Sequence, residues 1–199
     1  MTRLLFPDDP ELRPTHDLTA VTSLLEAFSP SNDHQAGERA KMLSFAAEHP
    51  DALLRSCLAG HFTASALVLD ARRERALLTH HRKLNRWLQL GGHCDGDGNL
   101  AHVAWREATE ESGIEGLAID PRPADLDVHT IPARPAKAGR AAEPEHWHLD
   151  VRYLVVAPEG AVEVVSEESL ALGWFAPEER AGLDVDDSVR RLFRLAFGR

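Results

Sequence analysis

Near the start of the chain apolar residues recur at helical spacing. Leu18, Val21, Leu25 and Phe28 form one stripe behind Asp17, a residue type that caps helix N-termini, and Ser29, Pro30 and Ser31 break the pattern. A second helix is predicted over 33–49, with Ala40, Met42, Leu43, Phe45 and Ala46 on its apolar side and Pro50 ending it. The texture then changes: residues 63–70 and 75–80 read as the strands of a hairpin turning at 71–73. Residues 91–99 are a loop of Gly and Asp, 100–112 contains no breaker and reads as a helix, and Gly113 stands where a C-terminal cap belongs. Residues 126–131 read as a strand. Over 148–157, Leu149, Val151, Tyr153 and Val155 alternate with His148, Asp150, Arg152 and Leu154, the period of a strand with one buried face. The proline-bearing stretch 132–145 lacks large apolar side chains and is expected to be a mobile surface loop. A closing amphipathic helix is predicted over 187–197, with Val189, Leu192, Phe193, Ala196 and Phe197 on one stripe.

The chain has 199 residues, 43% hydrophobic and 27% charged, which suits one substantial domain with an appendage. We expect a helical segment over 1–60, packed against the rest or forming a homodimer interface, and an α/β domain over 61–199. Acidic residues outnumber basic ones by 32 to 22, for a net charge of −10, and such a surface lacks the electrostatic drive for binding long nucleic acids. No apolar run approaches the ~18 residues of a membrane span, so no membrane partner is expected. The opening residues, broken by Pro7, Asp8, Asp9 and Pro10, do not read as a signal peptide. With only Cys57 and Cys94 to pair, the expectation is free thiols and a cytoplasmic protein.

Candidate chemistry concentrates at 91–114, GGHCDGDGNLAHVAWREATEESGI. On a helix, Glu107, Glu110 and Glu111 fall at i, i+3 and i+4 and share one face, while Ala101, Trp105, Ala108 and Ser112 occupy much of the other. Clustered carboxylate oxygens are the ligands Mg²⁺ and Mn²⁺ prefer, usually with water and substrate phosphates completing the shell. A solvated acidic face would show the same spacing.

The surrounding pattern resembles the Nudix hydrolase family, whose box runs Gly-x5-Glu-x7-Arg-Glu-apolar-x-Glu-Glu-x-Gly-apolar. Gly92, Arg106, Glu107, Ala108, Glu110, Glu111, Gly113 and Ile114 match in register, and Gly98 stands where the first Glu belongs, with Asp97 beside it as a substitute. The resemblance implies a Nudix-type α/β/α sandwich with a mixed sheet, preceded by the N-terminal helices. It implies that Glu107, Glu110, Glu111 and a backbone carbonyl at Gly91 bind Mg²⁺ or Mn²⁺, and that Arg106 holds the carboxylates by ion pairing. It also implies a further carboxylate in the loop before Trp174, for which Glu168 is the candidate and Glu167 its competitor; Glu107 or Glu168 would be the catalytic base. The implied reaction is attack of water on phosphorus in a nucleoside diphosphate linked to another group, such as an ADP-ribose-like molecule, a nucleotide sugar or a dinucleotide. A catalytically weak or inactive nucleotide-binding or regulatory protein of the same fold is the alternative that Gly98 keeps open. An isomerase similar to those acting on isopentenyl diphosphate is disfavoured, because Cys94 follows His93 instead of preceding a Gly-His pair.

Arg82, Lys83 and Arg86, just before the glycine loop, are candidate contacts for substrate phosphates or ribose, as is His93 directly after the glycine pair. Trp87, flanked by Leu84, Leu88 and Leu90, is expected in the core. Of the 11 histidines, none has a recognised zinc spacing, so each is expected to lie on the surface or in a hydrogen bond.

Overall fold

A computed structural model describes residues 3–137, 141–166 and 169–198. Its helices are α1 (Leu18–Ala27), α2 (Asp33–Glu48), α3 (Leu100–Ser112) and α4 (Asp187–Phe197). Each begins at a side chain that accepts from an otherwise unpaired first-turn amide: Asp17 from Thr19, Asn32 from Gln35, Asn99 from His102 and Asp186 from Val189. The ends of α3 and α4 use the left-handed conformation of Gly113 (φ 66°) and Gly198 (φ 67°), which costs a glycine little. The bounds of α3 and α4 are those their sequence patterns predict.

The strands are β1 (Gly60–Leu69), β2 (Ala76–His81), β3 (Arg86–Leu88), β4 (Leu90–His93), β5 (Ala118–Ile119), β6 (Asp125–Ile131), β7 (His146–Val156) and β8 (Ser169–Phe175). They form one mixed sheet. β1 lies at its centre, parallel to β7 and antiparallel to β4 and β2; β6 and β5 pair with β7, and β3 and β8 with β2. Alternation along β1 sends Phe62, Ala64, Ala66 and Val68 into a core shared with Leu149, Val151 and Tyr153 of β7 and Ala104 of α3. It sends Leu67 and Leu69 to the opposite face, where Val189, Leu192 and Phe193 of α4 cover them. Each such fully buried side chain contributes about 1.5–3 kcal/mol, so both faces hold their helices by burial. The result is the α/β/α sandwich with a mixed sheet that the resemblance implies.

The N-terminal helices share the first of these cores, through Val21, Leu25, Met42 and Phe45. Polar contacts add direction: Gln35 Nε2 donates to Asp125 Oδ1 (3.1 Å), and the Val128 amide donates to Glu38 Oε2 (2.6 Å), docking α2 on β6. Ahead of α1, Leu5 and Ile119 exchange two backbone hydrogen bonds of 2.8 and 2.9 Å.

Local differences from the sequence pattern have physical causes. Residues 90–93 are a strand, not the start of a loop, because their glycines serve close approach: a Cβ on Gly91 would lie 2.4 Å from Ser65 Cβ, and one on Gly92 would lie 2.4 Å from Glu107 Oε2. β8, which contains Gly173, is recruited by its pairing with β2 and not by its own alternation. In the stretch expected to be a mobile loop, Arg134 and Glu143 exchange backbone hydrogen bonds of 2.8 and 2.9 Å. Both cysteines are free and buried, and no helix among the described residues is long and apolar enough to cross a membrane.

Candidate active site

The acidic face of α3 meets the glycine pair of β4. Glu107 fills the space that a side chain at Gly92 would take, and Glu111 Oε2 accepts from the Gly91 amide at 3.1 Å. The two glycines therefore let the strand backbone come close enough for the carboxylates of α3 to reach it. Arg106 joins the parts: its guanidinium pairs with Glu107 Oε1 (2.9 Å) and Glu110 Oε2 (3.3 Å) and donates to the His93 carbonyl at 3.1 Å. Glu110 is exposed, whereas only 14% of the Glu107 side chain is accessible. Burial raises the Glu107 carboxyl above its ordinary pKa, an effect Arg106 opposes and Glu110 reinforces. The acidic face is thus half turned into the β4 contact.

The donor set fits a hard divalent cation. Three carboxylates on one helix face lie next to a strand backbone stripped of side chains, which leaves room for an ion and its oxygen ligands. Arg106 holds Glu107 and Glu110 while the Gly91 amide holds Glu111, and the trio is not among the groups of donor atoms, among the described residues, that lie within 4.8 Å of one another.

Gly98 has a structural cause. Its amide donates to the Thr15 carbonyl at 2.6 Å, and a Cβ there would lie 2.4 Å from the Asp17 carbonyl oxygen. The segment leading into α1 occupies the place of a longer side chain. Asp97 supports the helix start instead: its Oδ1 accepts from the amides of Asn99 (2.9 Å) and Thr15 (3.0 Å), and its Oδ2 lies 2.6 Å from His102 Nδ1. Asn99 Nδ2 donates to the carbonyls of Glu11 and Arg13, so the box loop and the N-terminal segment are stitched together.

The remaining candidates are scattered. Arg82 and Lys83 lie at the β2–β3 turn, where Arg82 donates to the Ser169 carbonyl at 3.0 Å, and Arg86 stands 3.9 Å from Asp184. Glu167 and Glu168 lie outside the described residues. Trp87 is partly buried between His80 and Phe175, with ring centroids 5.0 and 4.9 Å away. His93 turns its ring away from α3, to the sheet face that also carries His61, Thr63 and Ser65.

Sequence reasoning missed the polar system on that second face. Asp150 accepts from Thr63 (3.1 Å), Ser65 (2.7 Å) and Arg152 (2.9 Å). Arg152 and Arg191 share Asp127, at 3.1 and 2.6 Å, and Arg191 holds the fully buried Asp125 at 2.7 Å. Burial alone would raise Asp127, but its hydrogen bond with His129, together with Arg152 and Arg191, holds it well below the carboxylate range. The alternation of His148, Asp150 and Arg152 was the available signal, read only as the polar side of a strand.

The model of the NUDIX domain matches residues 60–195, two-thirds of the chain. No curated protein sequence gives a significant match. Among solved structures, an Ap4A hydrolase from C. elegans superposes with a TM-score of 0.52 at 16% identity, over 67% of this chain and 93% of that one. A NUDIX-family hydrolase from Clostridium perfringens gives 0.45 at 20% identity, over 68% and 95%. The NUDIX domain of Shewanella oneidensis NrtR, complexed with ADP ribose, gives 0.48 at 16% identity, over 78% and 96%.

Proposed function

The chain belongs to the Nudix family, and from that premise we propose that it hydrolyses a diphosphate linkage in a nucleoside diphosphate joined to another group, using Mg²⁺ or Mn²⁺. The observation that carries this reading is the contact between β4 and α3, where Gly91 and Gly92 receive Glu111 and Glu107 while Arg106 holds Glu107 and Glu110. Glu107, Glu110, Glu111 and the Gly91 carbonyl are the proposed ligands. The bound ion would neutralise phosphate oxygens and lower the pKa of a coordinated water.

The protein's own groups then have defined tasks. Arg106 fixes the rotamers of two carboxylates, which limits the reorganisation needed at the reacting phosphate. Glu107, oriented by Arg106, is one candidate to take the proton of the attacking water as its oxygen bonds to phosphorus and the bridging oxygen leaves with the other phosphate. Glu168 is the other candidate base. His93 and the basic residues Arg82, Lys83 and Arg86 are candidate substrate contacts, and the substrate is a small nucleotide.

The test is product release from ADP-ribose, dinucleotides, nucleoside triphosphates and nucleotide sugars, with Mg²⁺ or Mn²⁺ and with Glu111→Gln as control. Turnover by the wild type that Glu111→Gln loses is expected. Nucleotide binding with no metal-dependent turnover on any of them would favour the binding-protein reading.

A further inference from the structure

We infer that His61, His93 and His148 form a binding site for a transition-metal ion of the Zn²⁺ class, on the sheet face turned away from α3. Among the described residues, these three are one of two groups whose potential ligand atoms all lie within 4.8 Å of one another; the other joins His49, Asp51 and Cys57, where burial raises the thiol and keeps it protonated. The site is separate from the carboxylates of α3, and its existence does not depend on the proposed hydrolysis.

The sheet builds it by register. In β1, His61 stands beside His148 of the parallel strand β7; in β6, His129 stands opposite His148; in β4, His93 stands opposite Thr63, on the same face as His61. His146, two residues before His148, joins the row. The ring centroids of the central three are 4.9 to 5.1 Å apart, and the His146 ring is 5.0 Å from that of His61.

Hydrogen bonding within the protein leaves two of these rings, His61 and His146, incompletely satisfied. His61 is 3% exposed, and neither of its ring nitrogens makes a hydrogen bond of normal geometry, the Cys57 carbonyl being its nearest backbone acceptor. His146 Nδ1 lies 2.9 Å from the Pro144 carbonyl, which requires the proton on that nitrogen and leaves the lone pair on Nε2, also buried and without a hydrogen bond. A buried imidazole lone pair aimed into a group of imidazoles is what a metal ion satisfies. His93 and His148 are partly buried beside His61, with a ligand atom of each ring within 4.8 Å of the others, and neutral imidazole nitrogens are what such an ion takes.

Ligand chemistry selects the ion. Imidazole suits Zn²⁺, Cu²⁺, Ni²⁺ and Co²⁺, whereas Mg²⁺ takes oxygen. Three histidines leave a fourth position for water, a substrate group or His146, whose Nε2 has the Glu143 carboxylate 3.9 Å away. His129, whose Nδ1 lies 3.0 Å from Asp127 Oδ2, flanks His148 at 5.5 Å between ring centroids. His93 lies between the two sites, its carbonyl bound to Arg106 and its ring in the row.

The test uses the full chain without a histidine tag, stripped by chelator, equilibrated with Zn²⁺ in excess Mg²⁺, and passed through gel filtration for metal analysis. One Zn²⁺ retained per chain is expected, with affinity at least tenfold weaker in His93→Gln and His148→Asn but kept in Glu111→Gln. Unfolding curves establish that each variant is folded. X-ray absorption at the zinc edge of the wild type needs no variant; a shell of imidazole nitrogens at about 2.0–2.1 Å is expected. Failure of the wild type to retain Zn²⁺, retention unchanged in both folded histidine variants, or a shell of oxygens alone would each overturn the site.

Discussion

The acidic face of α3 and the histidine row of the sheet are both clusters of potential ligands, yet they are held in opposite ways. Each α3 carboxylate has a positive or donating partner, from Arg106 or the Gly91 amide. In the row, His61 makes no hydrogen bond of normal geometry at either nitrogen and leans on rings of its own kind. A satisfied cluster is rigid before any ion arrives. An unsatisfied one carries a desolvation cost of about 1–3 kcal/mol per buried polar group, which a ligand can offset. Between the row and α4, the network of Arg152, Arg191, Asp125, Asp127 and Asp150 shows the same sheet face with its charges paired.

The sharpest way to disturb that contrast is Arg152→Met, which strips the buried aspartates of a shared cation. A loss of about 3–5 kcal/mol in denaturant unfolding is expected, and a loss under about 1 kcal/mol would show the network to be dispensable. On the other side, Glu107→Gln is expected to lower metal-dependent turnover roughly 100- to 1,000-fold, about 3–4 kcal/mol of transition-state stabilisation, in steady-state kinetics.

Acid separates the clusters without mutation. The depressed His93 is neutral in the folded chain, while in the unfolded chain it takes a proton below its ordinary value of 6.5, so acid favours unfolding. Its contribution is fully present above pH 6.5 and is lost as pH falls from there to about 4, up to about 3 kcal/mol. His93→Gln should narrow the fall in melting temperature over that window. An unchanged slope would mean that the ring is not held neutral by its surroundings.

The smallest expected effect concerns the box loop. Gly98→Glu restores the family pattern but collides with the Asp17 carbonyl, so a destabilisation of about 1–3 kcal/mol with no gain in turnover is expected. Increased turnover at unchanged stability would show that the segment before α1 yields easily.

Legibility followed the range of the interactions. The span of α3, with its Gly113 cap and its acidic face, was readable because helical contacts join residues three and four apart. The sandwich fold was implied by the family resemblance that this helix and its glycine loop carry. The histidine row was not readable, because His61, His93, His129 and His148 meet only through strand register between distant segments. Gly91 and Gly92 carried the wrong local message, a loop, since their function is to let Ser65 and Glu107 approach. Gly98 looked like a missing acid until the N-terminal segment was seen against it.

The most direct single measurement is Mn²⁺ titration followed by electron paramagnetic resonance in the wild type, Glu111→Gln and His148→Asn. Mn²⁺ binding weakened by Glu111→Gln and kept in His148→Asn is the expected result, placing the hard cation on α3. Binding indifferent to Glu111 but abolished with His148 would remove the α3 carboxylates as the metal centre and, with them, the proposed route to hydrolysis.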